Sequence, residues 1–123
     1  LNTTVRGFLS MCAITTEVNF RVNDNGLQGV HWNSNINNPI GNSEGITVPC
    51  LFMGMTGSYE YLAAEEIYNH SASIDKTISF VEGASHNFTP DKDAERYNKT
   101  SYGDTVKHLF DYVDNWLYSR FNK

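Results

Sequence analysis

The stretch Ile46–Gly54 reads ITVPCLFMG and is a near-continuous apolar run with β-branched residues at its start. Such runs are typical of a strand that is covered on both faces, as strands of parallel sheets are. Pro49 has no amide hydrogen to donate and weakens the first half of the run. The stretch therefore predicts a buried strand of a parallel sheet.

The sequence that follows predicts a helix, a second strand and a final helix. YEYLAAEEIYNHS at 59–71 contains good helix formers, and Ser58 is placed to cap them. KTISFVE at 76–82 predicts the second strand, and GASHNFTP at 83–90 predicts a turn. Asp104 is the expected cap of a strongly amphipathic last helix. One stripe of that helix collects its apolar residues: Val106, Leu109, Phe110, Val113, Leu117 and Phe121.

The order strand, helix, strand, helix over 46–123 predicts an α/β fold with two parallel strands joined by a right-handed crossover. Two parallel strands are too few for a stable open sheet, so we expect a portion of a larger sheet or half of an assembly. Residues 1–45 predict a helix near Thr4–Ile14 and then a polar region leading into the sheet. Alternating apolar residues at 18–22 allow a short extended segment, and 23–45 predict a long loop.

Composition and charge bound the possible functions. The chain has 123 residues and a net charge of −5, which fits one small domain without the basic patch that nucleic-acid binding requires. No apolar stretch approaches the roughly 18 residues of a membrane span. Cys12 and Cys50 lie in apolar runs and predict buried free thiols. The histidines outside the 83–90 turn have no metal-ligand spacing with each other or with these cysteines, so we expect neither a metal nor another cofactor.

His86 is the main candidate for chemistry. It follows the second predicted strand, just past the turn glycine Gly83. Ligands of open α/β sheets bind beyond the carboxyl ends of the strands. An imidazole at that place could act as general base and then general acid for a serine on a neighbouring turn. The alternative is a histidine of a surface loop without a catalytic role.

Several short segments occur in a distinctive order: Val48-Pro49, Gly54, the helix around 63–68, Asp75-Lys76, Glu82-Gly83-Ala84-Ser85-His86, and the helix through Trp116. In this order they resemble the C-terminal portion of an α/β-hydrolase. The segment 29–44, with Trp32-Asn33-Ser34, is similar to a subgroup of bacterial hydrolases.

This resemblance implies the last two parallel strands and flanking helices of a three-layer α/β-hydrolase sheet, in a chain that is a fragment of a larger domain. It implies a serine hydrolase acting on a small-molecule ester or related acyl substrate, without a cofactor. His86 is then the general base of the triad. The nucleophile and the oxyanion hole are expected on the missing N-terminal part of the same fold, outside this chain.

The acid of the triad is harder to place. In the family it follows the first of these strands closely, but 55–58 here reads Met-Thr-Gly-Ser. Glu60 is the nearest carboxylate and the candidate acid. The alternative is a favourable charge in the first turn of a helix, near the positive end of the helix dipole. The acid could instead come from an earlier strand outside this chain. The chain could also hold a weakened dyad, or it could be an inactive homologue. Asp91 and Asp93 are near His86 in sequence and could also orient the imidazole.

The stretch 41–45, GNSEG, matches the G-x-S-x-G pattern of a serine nucleophile. That pattern requires a buried strand before the serine and a helix after it. The residues before Ser43 are polar and include Pro39, and a strand follows. Ser43 is therefore expected to be a loop residue.

Two functions remain open at this stage. The first is the C-terminal part of a serine hydrolase, in which case the isolated chain is expected to be inactive. The second is a non-catalytic α/β module that self-associates, as a homo-oligomer, or binds a partner through an uncovered sheet edge. The sequence leaves the compartment open between the cytoplasm and secretion from a bacterial cell.

Overall fold

The computed structural model of the chain describes residues 4–122, without the side chains of 10–12. Along the chain, the elements are α1 (Val5–Cys12), β1 (Thr15–Asn23), β2 (Gly26–His31), a 3-10 turn (Trp32–Ser34), α2 (Pro39–Ser43), β3 (Cys50–Met55), α3 (Glu60–His70), β4 (Lys76–Val81), α4 (Lys92–Asn98) and α5 (Thr105–Phe121).

β3 and β4 form a two-stranded parallel sheet, and α3 connects them. The register pairs Cys50 with Lys76 at one end and Met55 with Val81 at the other. The predicted parallel pair and its helical crossover are thus confirmed. β3 begins only after Pro49, which agrees with the missing amide donor of proline.

Helices cover both faces of this sheet. On one face α3 approaches so closely that a Cβ on Gly54 would lie 2.8 Å from the Cα of Tyr61. On the other face Trp116 of α5 donates its indole N–H to the hydroxyl of Thr77 at 3.0 Å. Between the sheet and α5 lies a small core of Met55, Val81, Ala84 and Leu109. The arrangement is a mixed α/β fold with helix, sheet and helix as its three layers.

α5 begins as predicted, because the side chain of Asp104 accepts the backbone N–H of Lys107 at 2.9 Å. The apolar stripe of α5 is only partly buried. Leu109 is buried, but Phe110, Leu117 and Phe121 are exposed. A sheet of two strands, about 5 Å apart, is too narrow to cover the whole stripe of a 17-residue helix.

The prediction of a long loop at 23–45 is wrong. β1 and β2 form an antiparallel hairpin in which Asn23 pairs with Gly26, so the turn consists of Asp24 and Asn25. Gly26 adopts a φ of +87° there, which glycine tolerates at no steric cost. The hairpin leaves the apolar residues of β1, Val18, Phe20 and Val22, exposed.

The second part of that region is also ordered. The side chain of Asn38 accepts the backbone N–H of Ile40 at 3.1 Å, and Pro39 occupies the first turn of α2. This is a common way to start a helix, because proline needs no hydrogen-bond acceptor at that position. Over the described range 4–122, none of the helices is both long and apolar enough to cross a membrane.

Candidate functional site

The loops after β3 and β4 are joined to each other at the carboxyl ends of the two strands. The backbone N–H of Gly57 donates to the carbonyl of Ala84 at 2.9 Å, and that of Thr56 donates to Val81 at 3.2 Å. In return, the hydroxyl of Thr56 accepts the backbone N–H of Gly83 at 2.7 Å. Residues about 25 or more positions apart in sequence thereby share one surface.

Gly83 and Gly57 make this close contact possible. Gly83 has a φ of +66°, and a Cβ at this position would run into the ring of Tyr102. A Cβ on Gly57 would lie 2.7 Å from the carbonyl oxygen of Ala84 and 2.9 Å from the Cβ of Asp91. A larger residue at Gly83 would have to displace the ring of Tyr102, and one at Gly57 would have to displace the backbone of the second loop.

His86 lies in a tight turn within the second loop. The backbone N–H of Phe88 donates to the carbonyl of Ser85 at 2.8 Å, and that of Ser85 donates to Thr89, also at 2.8 Å. Phe88 adopts a left-handed conformation with φ of +61°. Its carbonyl accepts a hydrogen bond from the fully buried hydroxyl of Thr105, the first residue of α5. The turn that carries His86 is therefore held by the core and by the last helix.

The structure brings both candidate site residues together. Nδ1 of His86 is in short hydrogen-bond contact with Oε1 of Glu60, the first residue of α3. The side chain of Glu60 is 17% exposed, whereas that of His86 is 71% exposed. Glu60 is thus mostly covered on the protein side of the pair, and the imidazole extends from it into solvent.

Hydrogen bonding to the Ser58 side chain lowers the pKa of Glu60 below its ordinary value of 4.5. Desolvation opposes this shift, and the hydrogen bond and charge of His86 lower the pKa further. In the described chain, Glu60 Oε2 is buried and has no hydrogen-bond partner. The prediction that Ser58 caps α3 is wrong, because Tyr59 occupies the cap position and makes no side-chain cap bond.

The carboxylates of Asp91 and Asp93, which could have oriented the imidazole, are engaged elsewhere. The carboxylate of Asp91 accepts the backbone N–H groups of Asp93 and Ala94 and caps α4. Asp93 forms an exposed ion pair with Arg96 at 2.9 Å. Glu60 is therefore the carboxylate that the structure places on His86.

Three supports of the histidine turn had not been expected from the sequence: Thr56, Phe88 and Thr105. Thr56 and Thr105 act through single hydroxyl groups, and the sequence holds no pattern that marks them. The positive φ of Phe88 also had no signal in the sequence, because phenylalanine is rarely left-handed.

This geometry suits a general base. A carboxylate on Nδ1 fixes the tautomer and the ring orientation, and Nε2 then carries the lone pair that accepts a proton. Within the described residues, Nε2 of His86 makes no hydrogen bond, so it is open to an incoming group.

Ser43, the serine of the G-x-S-x-G match, is not accessible as a nucleophile for this base. Ser43 is 1% exposed and ends α2, and its hydroxyl lies 2.7 Å from the carbonyl oxygen of Ile40 and 3.2 Å from that of Ile67. It is therefore a structural residue at the end of a short helix, not the loop residue that the sequence predicts. Ser85, adjacent to His86, pairs its hydroxyl with that of Thr89 at 3.1 Å.

Open cavities flank the sheet, and two of them are compared with the candidate site. The first, called here the β3 groove, has a volume of about 320 Å³ and extends to Glu60. Its lining is otherwise apolar: Leu51, Phe52, Met53, Met55, Ala63, Ala64, Ile67 and Phe88. The second, of about 530 Å³, lies between β4, the 100–102 loop and α5, away from the Glu60–His86 pair. The β3 groove thus includes Glu60 of the candidate pair in its lining.

Cys50 is a free, half-buried thiol, so its predicted full burial is wrong; the side chain of Cys12 lies outside the described part. The residues that the structure describes contain no group of three metal-ligand side chains in a suitable arrangement.

Comparison with protein-family models, with curated protein sequences and with solved structures found no match to this chain.

Proposed function

We propose that this chain is the C-terminal portion of a serine hydrolase of the α/β-hydrolase type, and that it supplies the general base. In this proposal His86 is the base, Glu60 is its carboxylate partner, and the nucleophile and oxyanion hole come from a segment outside this chain. The contact of His86 Nδ1 with Glu60 Oε1, with Nε2 left exposed, carries the proposal.

The proposed chemistry follows the acyl-transfer sequence of a serine hydrolase. Nε2 of His86 accepts the proton of the serine hydroxyl as that oxygen attacks the ester carbonyl, and it later gives the proton to the departing alcohol. The N–H at Nδ1 donates to Glu60 throughout, and the carboxylate stabilises the imidazolium that forms. A carboxyl whose pKa is held low stays ionised at neutral pH, which this role requires.

The β3 groove supports a small-molecule substrate with an apolar group. Its lining is uncharged apart from Glu60, and a volume of about 320 Å³ falls within the range of small-molecule sites. An apolar acyl chain could lie along β3 with its carbonyl near the Glu60–His86 pair. The substrate class proposed is therefore an uncharged ester or a related acyl compound.

The test uses the full-length protein that contains this chain. We expect ester hydrolysis and fluorophosphonate labelling of a serine outside the chain, both lost in His86→Ala. Removal of general-base catalysis should lower kcat/KM by about 10²- to 10⁴-fold. His108→Ala is the matched control, since His108 is exposed on α5 and distant from Glu60 in sequence. Full hydrolysis by a folded His86→Ala variant would reject the assignment.

A second function, a non-catalytic module that self-associates, is favoured by a different observation. In the described residues, the parallel sheet contains β3 and β4 alone, so both of its outer edges are without a neighbouring strand. Unpaired strand edges invite pairing with another chain. Sedimentation velocity of the isolated chain tests this function, and a monomer at all concentrations would exclude it.

A further inference from the structure

The outer edge of β4 carries backbone groups that the sheet does not use. The carbonyl of Val81 accepts the N–H of Thr56 at 3.2 Å, so the odd-numbered residues of β4 bond to the β3 side. In a parallel ladder, alternate residues of a strand bond to the same neighbour. Ile78 and Phe80 therefore direct their N–H and C=O groups outward, and over the described range 4–122 no other segment hydrogen-bonds to them. This edge is open to an added strand.

Two cavities meet at Phe80, one on each face of the sheet. The cavity of about 530 Å³ on the α5 face, called here the α5-side cavity, includes Phe80 in its lining. A further cavity of about 340 Å³, the α3-side cavity, is lined by Thr56, Tyr61, Glu65 and Phe80. Because successive side chains of a strand point to opposite faces, a strand added to this edge would direct neighbouring side chains into the two cavities.

Both cavities offer the same chemistry, which is aromatic side chains beside one carboxylate. The carboxylate is Glu65 in the α3-side cavity and Glu82 in the α5-side cavity. The aromatic residues of the two linings are Tyr61, Phe80, Tyr102 and Tyr112. Phe80, Tyr61 and Tyr112 are each 39% exposed, so their rings are accessible to a bound group.

The two carboxylates lack a cationic partner within the protein. Over the described residues, neither Glu65 nor Glu82 forms an ion pair or a side-chain hydrogen bond, whereas Glu60 contacts His86 and Glu95 pairs with a lysine. Neither lining contains a lysine or an arginine, although His108 lies in the α5-side cavity. A cationic group of a ligand is therefore the partner that these carboxylates lack.

A guanidinium group suits both cavities, because it stacks on aromatic faces and pairs with a carboxylate through two N–H groups. The net charge of −5 also attracts a basic segment toward the protein. A second copy of this chain is a poorer occupant of the edge, since it would bring its own Glu65 and Glu82 to the same place. Charge thus favours a basic partner over self-association at β4.

We propose that the outer edge of β4 binds an extended, arginine-containing segment of a partner protein, which adds as a third strand to the sheet. One arginine enters the α3-side cavity and pairs with Glu65 against Tyr61 and Phe80. The next arginine along the segment enters the α5-side cavity and pairs with Glu82. The backbone groups of Ile78 and Phe80 bond to the added strand, as in other cases of peptide recognition by strand addition. This inference is independent of the proposed hydrolase chemistry and of self-association.

Fluorescence anisotropy with the full-length protein that contains this chain tests the class of partner. The probe is a short labelled peptide of valine and threonine with two successive arginines at its centre. The protein should bind it, and a peptide with citrulline in place of both arginines should bind about tenfold more weakly, because citrulline keeps the shape of the side chain and loses its charge. Equal binding of the two peptides would overturn the basic partner.

Substitutions in the protein test the two cavities. Glu65→Gln and Glu82→Gln should each weaken binding of the arginine peptide about two- to fivefold, as expected for exposed ion pairs. Glu44→Gln is the matched control, since it removes one exposed carboxylate at the end of α2. An equal loss of affinity in Glu44→Gln would show that net charge alone holds the peptide, and it would overturn the site.

Methylation of the peptide backbone tests strand addition without altering the protein. Alternate N–H groups of a strand point to the same edge, so N-methyl groups on one alternate set would block the contact with β4, and those on the other set would point away from it. One methylated peptide should lose binding and the other should bind like the unmodified peptide. Identical behaviour of the two would overturn strand addition. A protein that binds none of these peptides would overturn the proposal, and its sedimentation as a dimer would leave a second copy as the occupant of the edge.

Discussion

Nδ1 of His86 lies against Oε1 of Glu60, although 26 residues separate them in sequence. The contact results from the parallel pair, because β3 and β4 end side by side and their loops are hydrogen-bonded to each other. Glu60 is the first residue of α3, so the start of that helix sets the position of the carboxylate. The pair depends on the fold as a whole and not on either loop alone.

The pKa of Glu60 provides the first prediction. Ser58 is the largest cause of its lowering from 4.5, so Ser58→Ala should move the pKa back toward that value. His86→Ala should also raise it, because the histidine lowers the pKa of Glu60 through its hydrogen bond and its charge. Carboxyl ¹³C chemical shifts measured against pH would report both changes. Ser119→Ala, on the exposed face of α5, should leave the titration of Glu60 unchanged.

The same shift has a consequence for stability against pH. A carboxyl with a folded-state pKa below its unfolded value stabilises the fold above the unfolded pKa, and this contribution is lost as pH falls through the folded pKa. Urea midpoints of wild type should therefore decline below about pH 4.5, and those of Ser58→Ala should decline less over the same interval. Identical pH profiles for the two proteins would contradict the role of Ser58.

Gly83 gives a second prediction, on the loop that carries His86. Gly83→Ala should destabilise the fold, since a left-handed conformation costs a non-glycine residue about 1–2 kcal/mol. The collision of the new Cβ with the ring of Tyr102 should add about 1–3 kcal/mol. Chemical denaturation would measure the loss. Gly45→Ala is the control, because its nearest neighbour would be 3.8 Å away; a Gly83→Ala variant as stable as this control would contradict the prediction.

Trp116 provides a third prediction, on the attachment of α5 to the sheet. Trp116→Phe removes the hydrogen bond to Thr77 and should cost about 1 kcal/mol. The guanidinium of Arg120 lies 4.2 Å from the indole ring centre, and loss of the indole should weaken that cation–π contact as well. Tyr118→Phe, on the exposed side of the same helix, should change the unfolding free energy little. Equal losses in the two variants would contradict this role of Trp116.

The sequence predicts the elements whose patterns are unambiguous. β3 and β4 are apolar runs at a typical strand length, and the cap at Asp104 marks the start of α5. The Glu60–His86 contact was predictable in part, since His86 follows a strand and Glu60 is the nearest carboxylate. The start of α3 could not be predicted. The helix begins at Glu60, one residue later than a cap at Ser58 would place it, and this start points the Glu60 side chain at the imidazole of His86.

The hairpin was missed for a different physical reason. The alternation in β1 is visible at 18–22, and the glycine Gly26, with a positive φ, directly follows the Asp24–Asn25 turn, as is common in hairpins. β2, however, reads GLQGVH and lacks alternation. Its pairing with β1 is irregular, since a bulge shifts the register between Thr16 and Arg21 of β1. Gly29 of β2 also lies directly against the backbone of Phe20, which leaves no room for a side chain. Tertiary contacts, rather than a pattern within β2, define that strand.

Thr105 gives the last prediction, on the support of the histidine turn. Its hydroxyl is fully buried and donates to the carbonyl of Phe88, two residues after His86. Thr105→Val keeps the shape of the side chain but leaves a carbonyl without its donor, which should cost about 1–3 kcal/mol. The Phe88 amide, bonded to Ser85, should then exchange its hydrogen faster. Thr100→Val, at an exposed position, is the control and should alter neither the unfolding free energy nor the exchange rate of the Phe88 amide. An unchanged exchange rate at Phe88 in Thr105→Val would show that the last helix does not hold the turn.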